Sequence, residues 1–103
     1  MTLDLVLLAL LCFVQNAAFT WSSRSRNSGS PGYHRYAAWC SNGLYFATSA
    51  ALFGLIAEAL RTGDWVMIAA AGAAYTLATT EGSVLAMRVL LARERGKHRV
   101  GAY

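Results

Sequence analysis

Glu81 has the most chemistry to offer, because it is an acid set inside a long apolar run, Trp65 to Leu91. The run opens with Trp65-Val66-Met67-Ile68, passes through Ala69-Ala70-Ala71-Gly72-Ala73-Ala74, and then places Thr79-Thr80-Glu81 and Arg88 among apolar neighbours. A stretch of this length reads as a membrane span, since about 20 apolar residues cross the hydrocarbon core as a helix. An ionisable group there costs about 2.5–3.5 kcal/mol on insertion scales and is rarely left against lipid. Glu81 therefore needs a partner.

The other polar residues suited to that task are Gln15, Asn16, Ser41, Asn42, Thr79 and Thr80. Counted inward from the same-side ends of the three apolar runs at about 1.5 Å per residue, they fall at similar depth. They form one predicted polar layer in which Gln15, Asn16, Asn42 and Thr80 can hydrogen-bond Glu81. Such a layer serves either as glue between helices or as a substrate or ion site, and only Glu81 is charged. Nothing resembles catalytic machinery: there is no nucleophile-base constellation, phosphate loop or zinc spacing. His34, beside Arg35, reads as a surface residue without a second ligand at metal spacing. Cys12 and Cys40 fall at different depths and read as packing residues rather than a disulfide. No enzyme, metal or cofactor is expected.

The elements that must position these residues follow from composition. The 103-residue chain is 56% hydrophobic and only 14% charged, outside the usual range of a soluble domain, so a membrane protein is predicted. Its apolar runs are Leu3–Trp21, Tyr36–Leu60 and Trp65–Leu91, giving an all-α, three-helix membrane bundle as a single domain over residues 1–103. The only early charge is Asp4, which argues against a cleaved signal peptide and keeps the first run as a span. Residues Ser22 to Arg35 are rich in Ser, Asn, Gly and Pro and read as a loop. The short connection Arg61-Thr62-Gly63-Asp64 makes the second and third spans antiparallel neighbours, with Gly63 suited to a helix C-terminal turn.

Charge sets the expected orientation. Arg24, Arg26, Arg35, Arg88, Arg93, Arg95, Lys97 and Arg99 fall on the side of the first loop and of the tail from Ala92, whereas Arg61 falls on the other. By the positive-inside rule the first loop and basic tail are cytoplasmic and the N-terminus is outside. Trp21, Tyr36 and Trp39 then anchor the inner interface and Trp65 the outer one. Glu58 and Asp4 sit near the outer boundary, where Glu58 can pair with Arg61, and Arg88 can snorkel to headgroups. The net charge of +4 thus fits an anionic inner leaflet rather than nucleic acid. A phosphate-bearing ligand held by Arg24, Arg26 and Arg35 is the denser alternative.

Small residues indicate association. Gly72, Thr76, Thr79 and Ser83 form one stripe on the third run, and Gly43, Ala47, Ala50, Ala51 and Gly54 form another on the second, ending near Glu58. Glu81 and Arg88 share a further face. One three-helix protomer has few helices to satisfy so many faces, so a homo-oligomer is expected.

At Val14-Gln15-Asn16-Ala17-Ala18-Phe19-Thr20, Ser23-Arg24-Ser25-Arg26-Asn27-Ser28, Tyr33-His34 and Ser41-Asn42-Gly43, the first half of the chain resembles small membrane proteins of tailed phages. That resemblance carries no activity of its own. The size, three spans and basic cytoplasmic tail are also similar in architecture, without a shared motif, to three-span phage holins. The architecture implies a multi-pass protein of the bacterial inner membrane that permeabilises it for lysis. The alternatives are a small ion channel or half-transporter working as an oligomer, and a non-conducting interaction or superinfection-exclusion factor that binds a host membrane protein.

Overall fold

The computed structural model describes residues 2–94, all-helical apart from two short connections. Helix α1 is Thr2–Ser25, α2 is Pro31–Thr62 and α3 is Trp65–Glu94. The all-α class and the order of three helices are those expected from the apolar runs, but the helices are longer at their polar ends. The loop read as Ser22 to Arg35 shrinks to residues 26–30. Ser22 and Ser25 are buried rather than in a turn, and the Ser25 hydroxyl donates to the Ser22 carbonyl at 2.6 Å, which satisfies it inside the helix. Trp21 meets Tyr33 and Tyr36 edge-on at 6.0 and 6.2 Å and donates its indole N–H to the Tyr33 hydroxyl, joining the end of α1 to the start of α2.

Local chemistry fixes the helix ends. Ser30 caps α2 from an extended conformation, its Oγ accepting from the Tyr33 N–H at 3.2 Å, and Pro31 occupies the first turn where no N–H is needed. Replacing Ser30 with alanine is expected to cost about 1 kcal/mol. Amide exchange at Tyr33 and His34 should speed up while that of mid-helix amides stays unchanged. Gly63 ends α2 with φ 70°, the left-handed turn expected of it, and its N–H reaches the Ala59 and Leu60 carbonyls. Asp64 then starts α3, its Oδ1 accepting from the Met67 N–H at 3.0 Å.

The three helices lie along the long axis of a 53 × 22 × 16 Å body, so their directions alternate and α1 runs parallel to α3. Helix α1 is the centre of the arrangement. It packs along both α2 and α3, while α2 and α3 touch each other least despite their short connection. Helices α2 and α3 are thus antiparallel neighbours, as expected, but theirs is the least extensive packing of the three helix pairs. A two-residue turn fixes only the adjoining ends, and each helix uses its closely packing face on α1.

Little of the apolar surface is consumed. The buried hydrophobic residues are Leu8, Cys12, Ala37, Ala59, Met67, Ala71 and Leu90, whereas Trp39, Phe46, Phe53 and Val66 are each more than three-quarters exposed. Helices α1 and α2 are long and apolar enough to cross a membrane, and only 22% and 11% of their most apolar windows are buried. Helix α3 is as long but does not reach the same hydropathy, because Thr76, Thr79, Thr80, Glu81 and Ser83 dilute its middle. Its candidacy as a third span rests on the bundle it joins.

Candidate functional site

The polar residues of α1 and α3 meet in a continuous seam. On α3, Ala71 and Ala78 pack with Leu8 and Cys12 of α1, and Gly82 is buried against Phe13, so small residues form the face that meets α1. At Gly82 the approach is closest. A Cβ there would collide with the Phe13 carbonyl oxygen and lie 3.0 Å from the Phe13 Cα. This close approach brings short polar side chains within reach. Asn16 Nδ2 donates to the Thr79 carbonyl at 2.7 Å, and the Thr20 and Ser83 hydroxyls bond at 2.8 Å. One further step along, Arg24 Nη1 approaches Met87 Sδ at 3.8 Å. All three pairs are 63 residues apart, the signature of parallel helices in constant register. Beyond them Arg24 forms a bidentate pair with Glu94, Nε donating at 2.9 Å and Nη2 to the other carboxylate oxygen. Donating these hydrogen bonds to Glu94 raises the Arg24 guanidinium above its ordinary value, so Arg24 is charged throughout the accessible range.

The predicted polar layer divides over several faces. Asn16 and the Thr79 backbone join the seam, Thr79 turns its own hydroxyl back to the Tyr75 carbonyl at 2.7 Å, and Gln15 and Ser41 are buried. Asn42, Thr80 and Glu81 are exposed. Among the described residues Glu81 makes no hydrogen bond or ion pair, so Gln15, Asn16, Asn42 and Thr80 do not partner it. The reason is rotational: at about 100° per residue, Glu81 is carried off the face on which Gly82 meets α1.

The small-residue stripes are placed differently from the ladder that packs. Gly43, Ala47, Gly54, Gly72 and Thr76 are exposed, whereas Ser83 bonds Thr20 and the Thr79 carbonyl accepts from Asn16. Gly82 was missed because the stripe was traced from Gly72. The small residues Ala71, Ala78 and Gly82, spaced by seven and four, are the signal that points to it.

Of the basic residues, Arg24 is engaged by Glu94, so a phosphate site using Arg24, Arg26 and Arg35 together lacks its first member. Arg26, Arg35, Arg88 and Arg93 are exposed, and Arg95, Lys97 and Arg99 lie outside the described residues. Glu58 pairs with Arg61 as expected, at 2.6 Å on the surface. His34 is not simply a surface residue. It is half-buried, and its Nδ1 lies 2.7 Å from the Ser25 hydroxyl. With the Ser25 proton given to the Ser22 carbonyl, His34 is the donor, and the fully buried Ser25 is a tie between helices rather than an accessible nucleophile. Both cysteines are free; Cys12 is buried, but Cys40 is exposed and does not pack as expected, since it lies off the Ala37–Ser41–Thr48 face that meets α1. Compared with known proteins, the chain matches no family model, no curated protein and no solved structure.

Proposed function

We propose that the chain is a small membrane protein that works as a homo-oligomer and permeabilises the membrane in the manner of a holin. The observation that carries this reading is Glu81, an exposed acid with no partner among the described residues of its own protomer, beside Leu77, Val84 and Leu85 on the outside of α3. An isolated carboxyl on a lipid-facing surface is costly, whereas at a junction between copies, or facing a water-filled centre, it is satisfied. The outward faces of Gly43, Gly54 and Gly72, where nothing lies within 4 Å of an added Cβ, provide the close approach that such a junction needs. Arg88, two turns along the face of Glu81, supplies a base to pair or to line the same path. The first loop and basic tail are cytoplasmic, and the bacterial inner membrane is the site of action.

The test is controlled expression in a bacterium with a potential-sensitive dye. The expected result is sudden depolarisation and growth arrest after a period of accumulation, with onset altered by Glu81→Gln. Accumulation in the membrane with growth and potential unchanged sinks the lytic reading. A steady, ion-selective current from purified protein would move the assignment to a channel.

A further inference from the structure

A second feature lies away from the α1–α3 seam and from Glu81. An open groove of about 330 Å³ lies between α2 and α3, lined by the exposed aromatic side chains of Tyr45, Phe53 and Tyr75 and by Thr48 and Ser49, with the buried Gln15 of α1 at its floor. Gln15 is only 6% exposed, yet its carboxamide makes no hydrogen bond among the described residues. No fully enclosed side-chain nitrogen or oxygen is left without a partner among those residues. The polar atoms of Gln15 are therefore not fully enclosed, and Gln15 lines the groove. Thr48 is occupied with the Leu11 carbonyl at 3.4 Å, which leaves the Gln15 amide as the deep polar group.

We infer that this groove binds a small, neutral, lipid-soluble aromatic molecule bearing a hydroxyl group, of the alkylphenol type. The aromatic walls suit a ring, which packs edge or offset against Tyr45, Phe53 and Tyr75. Among the described residues no charged side chain lines the groove, so a charged ligand would meet no compensating partner there. The volume falls at the lower end of small-molecule sites, whereas a helix, about 10–12 Å across, lies over such a space rather than in it. A lipid chain fills the apolar part but leaves the Gln15 amide without a hydrogen bond. A phenol hydroxyl supplies that bond, donating to Oε1 or accepting from Nε2.

The route of entry from lipid rests on the membrane reading, but binding is measured on the purified chain and is independent of depolarisation in cells. The experiment uses the full chain in phospholipid nanodiscs, photolabelled with a diazirine-bearing alkylphenol and mapped by mass spectrometry. Label is expected on peptides containing Tyr45, Phe53 and Tyr75, displaced by unlabelled alkylphenol but poorly by an alkylbenzene of equal size. Gln15→Leu should weaken displacement roughly three- to tenfold, the range of one hydrogen bond. Ser49→Phe, placed on an exposed position, should abolish specific label without changing helix content by circular dichroism. Label spread equally over outward residues such as Phe46 and Val66, equal competition by the alkylbenzene, or full binding by the folded Gln15→Leu protein overturns the inference.

Discussion

Gly82→Ala is expected to destabilise the bundle by about 1–3 kcal/mol, the range for inserting one carbon into a packed site. The added methyl collides with the Phe13 carbonyl oxygen and crowds the Phe13 Cα at 3.0 Å, so relief requires α1 and α3 to move apart. No side chain can rotate to make room, because the obstacle is backbone. Separation would also stretch Asn16 from the Thr79 carbonyl and Thr20 from Ser83, coupling the steric defect to two hydrogen bonds. Gly72→Ala provides the comparison within the same helix. Nothing lies within 4 Å of the added atom, so the gain in helix propensity should leave stability unchanged or raise it by about 0.5–1 kcal/mol. Reversible unfolding in mixed micelles measures both. Equal effects of the two changes would mean that α1 does not approach α3 at Gly82. If the Gly72 change instead disrupts cross-linked oligomers while preserving protomer stability, it locates the junction between copies.

Removing the Arg24 guanidinium should be the second large change. A fully exposed ion pair contributes about 0.2–1 kcal/mol, whereas breaking a buried one costs about 3–5 kcal/mol. The Arg24 and Glu94 side chains are 21% and 9% exposed, so an intermediate cost of about 1–3 kcal/mol is expected for Arg24→Ala, weakened by salt. Arg24 also covers Met87, and its alkyl stem contributes packing as well as charge. A double-mutant cycle with Glu94→Gln separates the two parts. A coupling near zero would leave packing as the whole effect. The folded-state pKa of Arg24 is raised, so its contribution is fully present below the ordinary arginine value and is lost only above the folded one. It therefore adds no pH dependence in the neutral range. Arg61→Ala is the matched control at the other end of the bundle. The Arg61 and Glu58 side chains are 70% and 62% exposed, and no measurable change in stability is expected.

Three helices and the position of the α2–α3 turn could be read from residue order. Long apolar runs separated by polar, Gly- and Pro-bearing segments fix element number, and Gly63 fixes a turn because its left-handed backbone suits glycine. Residues 22–25 and 31–35 were less legible. Serine and tyrosine there resemble loop composition until Ser25, His34, Trp21 and Tyr33 find one another across the connection. The candidate residues divided in the same way. Depth points to Asn16 and helical spacing to Ser83, but their partners, the Thr79 backbone and Thr20, depend on a parallel register that no single helix contains.

The sequence by itself determined that Glu81 sits in an apolar helix and that closely packing faces exist. Only the tertiary structure decided that Gly82, one residue away, is the face taken by α1, and that Glu81 and Gly72 are left outside. The physical reason is that each helix is apolar nearly all round, so hydrophobic periodicity points to no particular side. Direction comes instead from the small differences in side-chain size that allow two backbones to touch, and these acquire meaning only when both helices are in place.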